Sequence, residues 1–326
     1  MLSDSKKTII VIGATGNQGS SVARTFSALP NWHVRAITRM PSSEKAKQLA
    51  NLGCELFQAD LVDIASLSRA FEGAHAIFLN TDFWAAYRAS AFAGDDPEKS
   101  SKIGFETELQ YGKNAALAAA SVPTLERLIY SALGPMKVAS KGKYPISYHW
   151  ETKAATVEYI KKEHPDLANK TSFIYLGAYV TNPFLTPKLD GDTGEYKVVI
   201  PCSGKTRFPI IDERKSTGVF VRALVEDEFP GVKLLAYDSY LTIEQAVEVW
   251  SKVTGKPVKL ISLNLEQVNK LTGVPYEVLY GPAFIEEFGY MAGVDGYIEP
   301  FQLQKRVTTP SYEEWLSTGG VDELLS

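Results

Sequence analysis

A glycine-rich turn near the start of the chain reads Gly13-Ala14-Thr15-Gly16-Asn17-Gln18-Gly19, set between a β-branched run and an apolar-periodic one. At this G-x-x-G-x-x-G spacing the first glycine permits a tight turn and the middle one lets backbone N–H groups approach a diphosphate. The last allows close packing of helix on strand. The helix that follows adds attraction for negative charge at its N-terminus. Glycines also serve any sharp bend, so the signal comes from the strand before the turn and the helix after it. About twenty residues past Gly19, where an NAD-binding turn places an acid on the ribose 2′-hydroxyl, the chain has Arg39. A guanidinium there pairs with a 2′-phosphate and stacks on adenine, whereas a carboxylate would repel that phosphate. The plainer reading of Arg39 is a solvated surface arginine. The pattern as a whole points to NADP(H).

Further along, Asp60 in FQADLVD could accept from an adenine amine or simply begin a helix beside Asp63. His149 and Lys153 share one face of a helical stretch and can enter one cleft together, while Tyr148 is turned about 100° away. An imidazole so placed could pass a proton, although the neighbouring ammonium would favour its neutral form. Equally, His149 could pack or hydrogen-bond in a site that binds cofactor without turnover, and Lys153 could be a solvated helix lysine. Ser131 ends an apolar run, where its hydroxyl could meet a substrate oxygen or start a turn. Phe83, Trp84, Tyr87, Trp150, Tyr179 and Phe184 could wall an apolar pocket or serve the core.

The elements that must position these residues alternate. Thr8–Ile12 reads as a strand and Ser20–Leu29 as a helix, then His33–Thr38, Ser43–Leu52 and Glu55–Gln58 as strand, helix and strand. Asp63 caps a predicted helix to Phe71, and Ala74–Leu79 is a fourth strand entering the turn Asn80-Thr81-Asp82. Small, polar and charged residues over Ala85–Lys102 predict a loop near the site, before a helix over Phe105–Ser121 and a strand over Arg127–Ser131. After a Lys- and Gly-containing loop, Met136–Pro145, come the helix Tyr148–Lys162 and the strand Ser172–Leu176. Asp190–Pro201 then reads as turn and strand, with helices over Thr242–Val253, Leu265–Leu271 and Tyr276–Met291. The expected class is α/β, a Rossmann-type doubly wound parallel sheet with a smaller α+β C-terminal lobe. Residues 1–183 form the dinucleotide-binding domain, with elements from 205–245 free to return to it, and 184–326 form the smaller lobe.

Over 326 residues, hydrophobic side chains make up 45% and charged ones 22%, an ordinary globular balance. The net charge of −4 and the absence of a basic block argue against direct nucleic-acid binding. Cys54 and Cys202 share no metal-ligand spacing with the histidines and read as reduced core thiols, with no metal site. The chain reaches its first strand at once and has no long apolar run, so the expectation is a cytoplasmic protein with no membrane span.

With VIGATGNQGSSVARTF, VRAITR, FQADLVD and HWETKAATVEYI, the chain resembles the NmrA-like family of atypical short-chain dehydrogenase/reductases, in particular its HSCARG-type members and their fungal oxidoreductase relatives. The resemblance covers nearly the whole length and implies a Rossmann domain with a cleft beneath a small C-terminal lobe. By it, Gly13, Thr15, Gly16, Asn17, Gln18 and Arg39 match the cofactor-contacting motif. Asn80 and Thr81 match the turn near the ribose, Lys153 the lysine that holds the nicotinamide ribose, and Gly177 and Tyr179 the stretch beside the nicotinamide. Dehydrogenases of the wider superfamily carry Tyr-x-x-x-Lys, yet the residue four before Lys153 is His149. The resemblance implies an NADPH-dependent reductase acting on a small apolar or aromatic carbonyl or conjugated substrate, as in secondary metabolism. The other branch of the family implies an NADP(H) sensor that binds protein partners without turnover.

Overall fold

The computed structural model describes residues 6–325. Its first part repeats strand and helix: β1 (Lys7–Val11), α1 (Asn17–Ser27), β2 (Trp32–Thr38), α2 (Glu44–Asn51), β3 (Glu55–Gln58), α3 (Ile64–Phe71) and β4 (Ala76–Leu79). Side chains start the helices where expected: Ser43 accepts from the Ala46 N–H, and Asp63 from those of Ala65 and Ser66.

The loop expected over Ala85–Lys102 is instead helical, comprising α4 (Phe83–Phe92) and the first turns of α5 (Pro97–Ala120). Small residues blur the apolar period there, but both starts are capped. Asp82 accepts from the Trp84 and Ala85 N–H groups, and Asp96 from that of Lys99, with Pro97 in the first turn. Next come β5 (Arg127–Ala132), α6 (Met136–Ala139), one turn inside the expected loop, α7 (Tyr148–Glu163), α8 (Pro165–Ala168), β6 (Thr171–Leu176) and β7 (Ala178–Tyr179). The remainder supplies β8 (Lys188–Leu189), β9 (Tyr196–Ile200), β10 (Arg207–Ile211), α9 (Ser216–Glu226), β11 (Lys233–Ala236), β12 (Ser239–Thr242) and α10 (Ile243–Thr254). It ends with β13 (Val258–Ser262), α11 (Leu265–Thr272), α12 (Tyr276–Phe288), α13 (Tyr312–Trp315) and α14 (Val321–Leu325).

Seven strands form one sheet in the order β11-β6-β5-β4-β1-β2-β3, every neighbouring pair parallel. Such strands are buried on both faces, and residue alternation assigns each side chain to one of two cores. Ile10, Leu128, Tyr130, Phe173 and Tyr175 face a core with Leu67 and Phe71 of α3 and Val157 and Ile160 of α7. Ile9, Val11, Ile129 and Ile174 face the other, with Val22 and Phe26 of α1 and Phe220 and Leu224 of α9. Strand order reverses between β1 and β4, so a crevice opens there beyond the strands' carboxyl ends. Two three-stranded sheets, β12-β10-β7 and β13-β9-β8, carry α10, α11 and α12. The described residues hold no helix long and apolar enough to cross a membrane. Cys54 and Cys202 are buried free thiols.

Candidate active site

The turn after β1 is built as its glycines require. Gly13 sits at φ +70°, and the Gly16 N–H closes the turn on the Gly13 carbonyl at 2.9 Å. A Cβ on Gly19 would stand 2.2 Å from the Gly13 carbonyl oxygen and 2.6 Å from its carbon, so only glycine lets α1 pack this close. Gly16 holds the N-cap position of α1 and carries no side chain to satisfy the first N–H groups. No acidic residue lies in the first helical turn. The cradle therefore presents unpaired donors and a positive helix end, the donor set that a diphosphate needs.

A cavity of about 1280 Å³ opens from this turn across the switch point. That exceeds the roughly 300–1,000 Å³ of common single-ligand pockets and leaves room for a dinucleotide and a second molecule. Gly13, Thr15, Gly16, Asn17 and Gln18 line one end, with Arg39 and Asp60 at the tips of β2 and β3. The Arg39 side chain is exposed and has no partner among the described residues, leaving its guanidinium free for a phosphate. Asp60 is committed in part: its Oδ1 accepts from the Val62 N–H at 3.1 Å, while Asp63 caps the helix. Gly177 lines the cavity, but its bareness serves packing as well, since a Cβ there would lie 2.5 Å from the Pro209 carbonyl oxygen. The Tyr179 hydroxyl accepts from Gln18 Nε2 at 2.6 Å, tying the stretch after β6 to the cradle. Gln18 Oε1 is buried with no hydrogen-bond partner among the described residues. These features together fit a nicotinamide dinucleotide phosphate.

At the centre of the cavity the Lys153 ammonium lies 3.2 Å from Glu108 Oε1 and 3.2–3.4 Å from Thr81 O, Thr81 Oγ1, Asn80 Oδ1 and Ser131 O. Ser131 lines the cavity, and its carbonyl is one of the groups that meet this ammonium. Burial pulls the Lys153 pKa down, but Glu108, Tyr130 and Tyr179 outweigh it and leave the pKa above the usual lysine value. Lys153 is thus held as a cation. Glu108 is fully buried and also accepts from Thr81 Oγ1 at 2.6 Å. It escaped the sequence reading, yet it carried a signal. Ser100, Gly104, Glu108 and Gly112 recur every fourth residue along α5, a stripe of small side chains interrupted by one carboxylate.

His149 faces the same cavity one helical turn earlier, beside Trp84 and Phe83 with ring centroids 5.1 and 5.9 Å away. Tyr148 packs on Phe105 instead, 5.5 Å between centroids, and does not line the cavity. Trp150, Tyr179, Phe184, Phe208 and Tyr290 complete an aromatic wall, closed from above by Val278, Pro282 and Ile285 of α12. The stretch expected as a loop reaches the site as a helix, since Trp84, Ala85 and Ala89 of α4 line the cavity.

The NmrA-like family model matches residues 5–316. The chain belongs to the NmrA-like family. A curated relative, the NmrA-like family domain-containing oxidoreductase cpsB of Aspergillus campestris (strain IBT 28561), is 30% identical over 276 residues, 79% of this chain and 76% of its own length. Among solved structures the fold is similar to that of NmrA, a negative transcriptional regulator, in complex with NADP. There the TM-score is 0.71 and the identity 22%, over 98% of this chain and 97% of that one. It is also similar to the triphenylmethane reductase of Citrobacter sp. complexed with NADP(H), with TM-score 0.66 and 18% identity over 97% and 99%. The Rossmann-type sheet agrees with what the strand–helix alternation led us to expect, and the NmrA-like membership with the resemblance.

Proposed function

We propose that this NmrA-like protein is an NADPH-dependent reductase of a small, flat, apolar carbonyl or conjugated substrate. The observation that carries the reading is the single cavity in which the glycine cradle, the buried Lys153 cation and His149 open onto an aromatic bay. Relatives named as oxidoreductases and fold neighbours crystallised with NADP support it. In this reading residues 1–183, with α9 and β11, bind the cofactor, and the rest of 184–326 closes over the substrate.

When bound, the dihydronicotinamide supplies hydride. The backbone N–H groups of Asn17 and Gln18 at the start of α1 hold the diphosphate, and Arg39 takes the 2′-phosphate. Lys153, anchored by Glu108 and Thr81, orients the nicotinamide ribose and contributes positive charge where negative charge develops on the substrate oxygen. His149 stands in for the absent tyrosine and donates the proton to that oxygen. The aromatic wall excludes water, which strengthens each of these interactions.

Calorimetric titration with NADPH and NADH, followed by NADPH oxidation with a panel of aromatic ketones and quinones, tests the proposal. We expect preference for NADPH, turnover that disappears in Lys153→Ala, and about 10- to 100-fold weaker NADPH binding in Arg39→Ala with NADH little changed. Equal affinity for both cofactors would remove Arg39 from the 2′-phosphate. NADPH binding with silence across the whole panel would favour the sensor reading.

A further inference from the structure

The only hydrogen-bond partner that His149 finds for its ring among the described residues comes from the C-terminal part of the chain. Nδ1 lies 2.6 Å from Glu277 Oε1, and the His149 backbone N–H donates to that same oxygen at 2.8 Å. Glu277 is almost fully buried in the first turn of α12, with its side chain 2% exposed. Its second oxygen is buried and unpartnered. An oxygen already accepting one N–H is an acceptor for the ring as well, so the proton of neutral imidazole sits on Nδ1. That leaves Nε2 without a protein partner among the described residues, on a ring that lines the cavity beside Phe83 and Trp84.

We infer that Glu277 is a positioning residue for His149. It fixes the ring orientation and the Nδ1–H tautomer so that Nε2 is the atom that exchanges a proton with substrate, and the site is complete only when α12 is docked on α7. This rests on the reductase reading and assigns it a residue outside the Rossmann part. In the step, the hydride pair forms the new C–H bond and the C=O π pair moves onto oxygen. The oxygen takes the proton from Nε2 of the imidazolium. Neutral His149 keeps its Nδ1–H on Glu277 and recovers a proton from water. Glu277, bonded to Nδ1–H throughout, supports the imidazolium, as a buried acid behind a catalytic histidine does elsewhere.

The test does not depend on knowing the natural substrate. In ¹⁵N-histidine-labelled protein, long-range ¹H–¹⁵N spectra report the tautomer of each imidazole, and His149 is assigned by its absence in His149→Gln. The wild-type resonance should show the Nδ1–H form, opposite to the preference of imidazole in water. Glu277→Gln, whose amide oxygen still accepts, should keep that form, and Glu277→Leu should lose it. With NADPH and phenanthrenequinone, kcat should fall at least about 100-fold in Glu277→Leu, and less in Glu277→Gln, with NADPH affinity unchanged. An Nε2–H tautomer in the wild type would overturn the proposal, and so would wild-type kcat in a folded Glu277→Leu variant. No turnover by the wild type across the panel of ketones and quinones, with the Nδ1–H tautomer present, would sink the reductase reading while leaving the assignment of Glu277 standing.

Discussion

Glu213 follows β10 directly behind the phosphate cradle, its side chain 1% exposed, and Asn17 Nδ2 donates to its Oε1 at 2.7 Å. Burial is the main influence and Asp212 adds to it. Against them stand a backbone hydrogen bond, the Arg214 charge and the Asn17 bond, and the balance pushes the carboxyl up to about 7 from an ordinary 4.5. Between those values the folded chain keeps a proton that the unfolded chain has released. Stability therefore falls as pH rises from 4.5 through 7 and levels off above. At ~1.4 kcal/mol per pH unit the full loss is about 3 kcal/mol. Glu213→Gln keeps an oxygen for Asn17 and removes the charge. In urea unfolding without cofactor the variant should match the wild type near pH 4 and exceed it by about 3 kcal/mol at pH 8. Neighbouring Asp238, raised to about 6 mainly by burial, gives both proteins a similar slope at lower pH, so the difference between them isolates Glu213. Parallel curves for the two proteins from pH 5 to 8 would refute the reasoning.

Gly19→Ala places a methyl group against the backbone of Gly13 and Ala14, where no side chain can yield. It should cost roughly 1–3 kcal/mol or more and abolish detectable NADPH binding by calorimetry; retained affinity would mean that the turn opens freely. Glu108→Ala leaves Lys153 buried without its counter-charge and should lower unfolding free energy by about 3–5 kcal/mol, part of which Lys153→Met restores in the same background. A loss below about 1 kcal/mol, with no coupling between the two changes, would show that the pair is not the anchor described here.

The residues legible from sequence were those whose role is local. The Gly13–Gly19 spacing, the Asp63 cap and the strand–helix alternation each act within a few residues, so their chemistry is written in neighbouring letters. The helix over Phe83–Phe92 was missed because its apolar faces are uneven, even though Asp82 announced its start. Other residues could not be read along the chain at all. Glu277 looks like any acid that complements a helix dipole, until folding sets it against His149, 128 residues away. Glu213 and Asn17 are 196 residues apart and meet only because β10 and α9 return behind α1.

The amino-acid sequence by itself determined a glycine turn suited to phosphate, a parallel sheet and a helix face shared by His149 and Lys153, because backbone geometry and short-range periodicity suffice for these. Which carboxylates neutralise Lys153 and hold His149, and which aromatic rings wall the bay, was decided only by tertiary packing. Burial and charge pairing depend on what the rest of the chain brings to the same few ångströms.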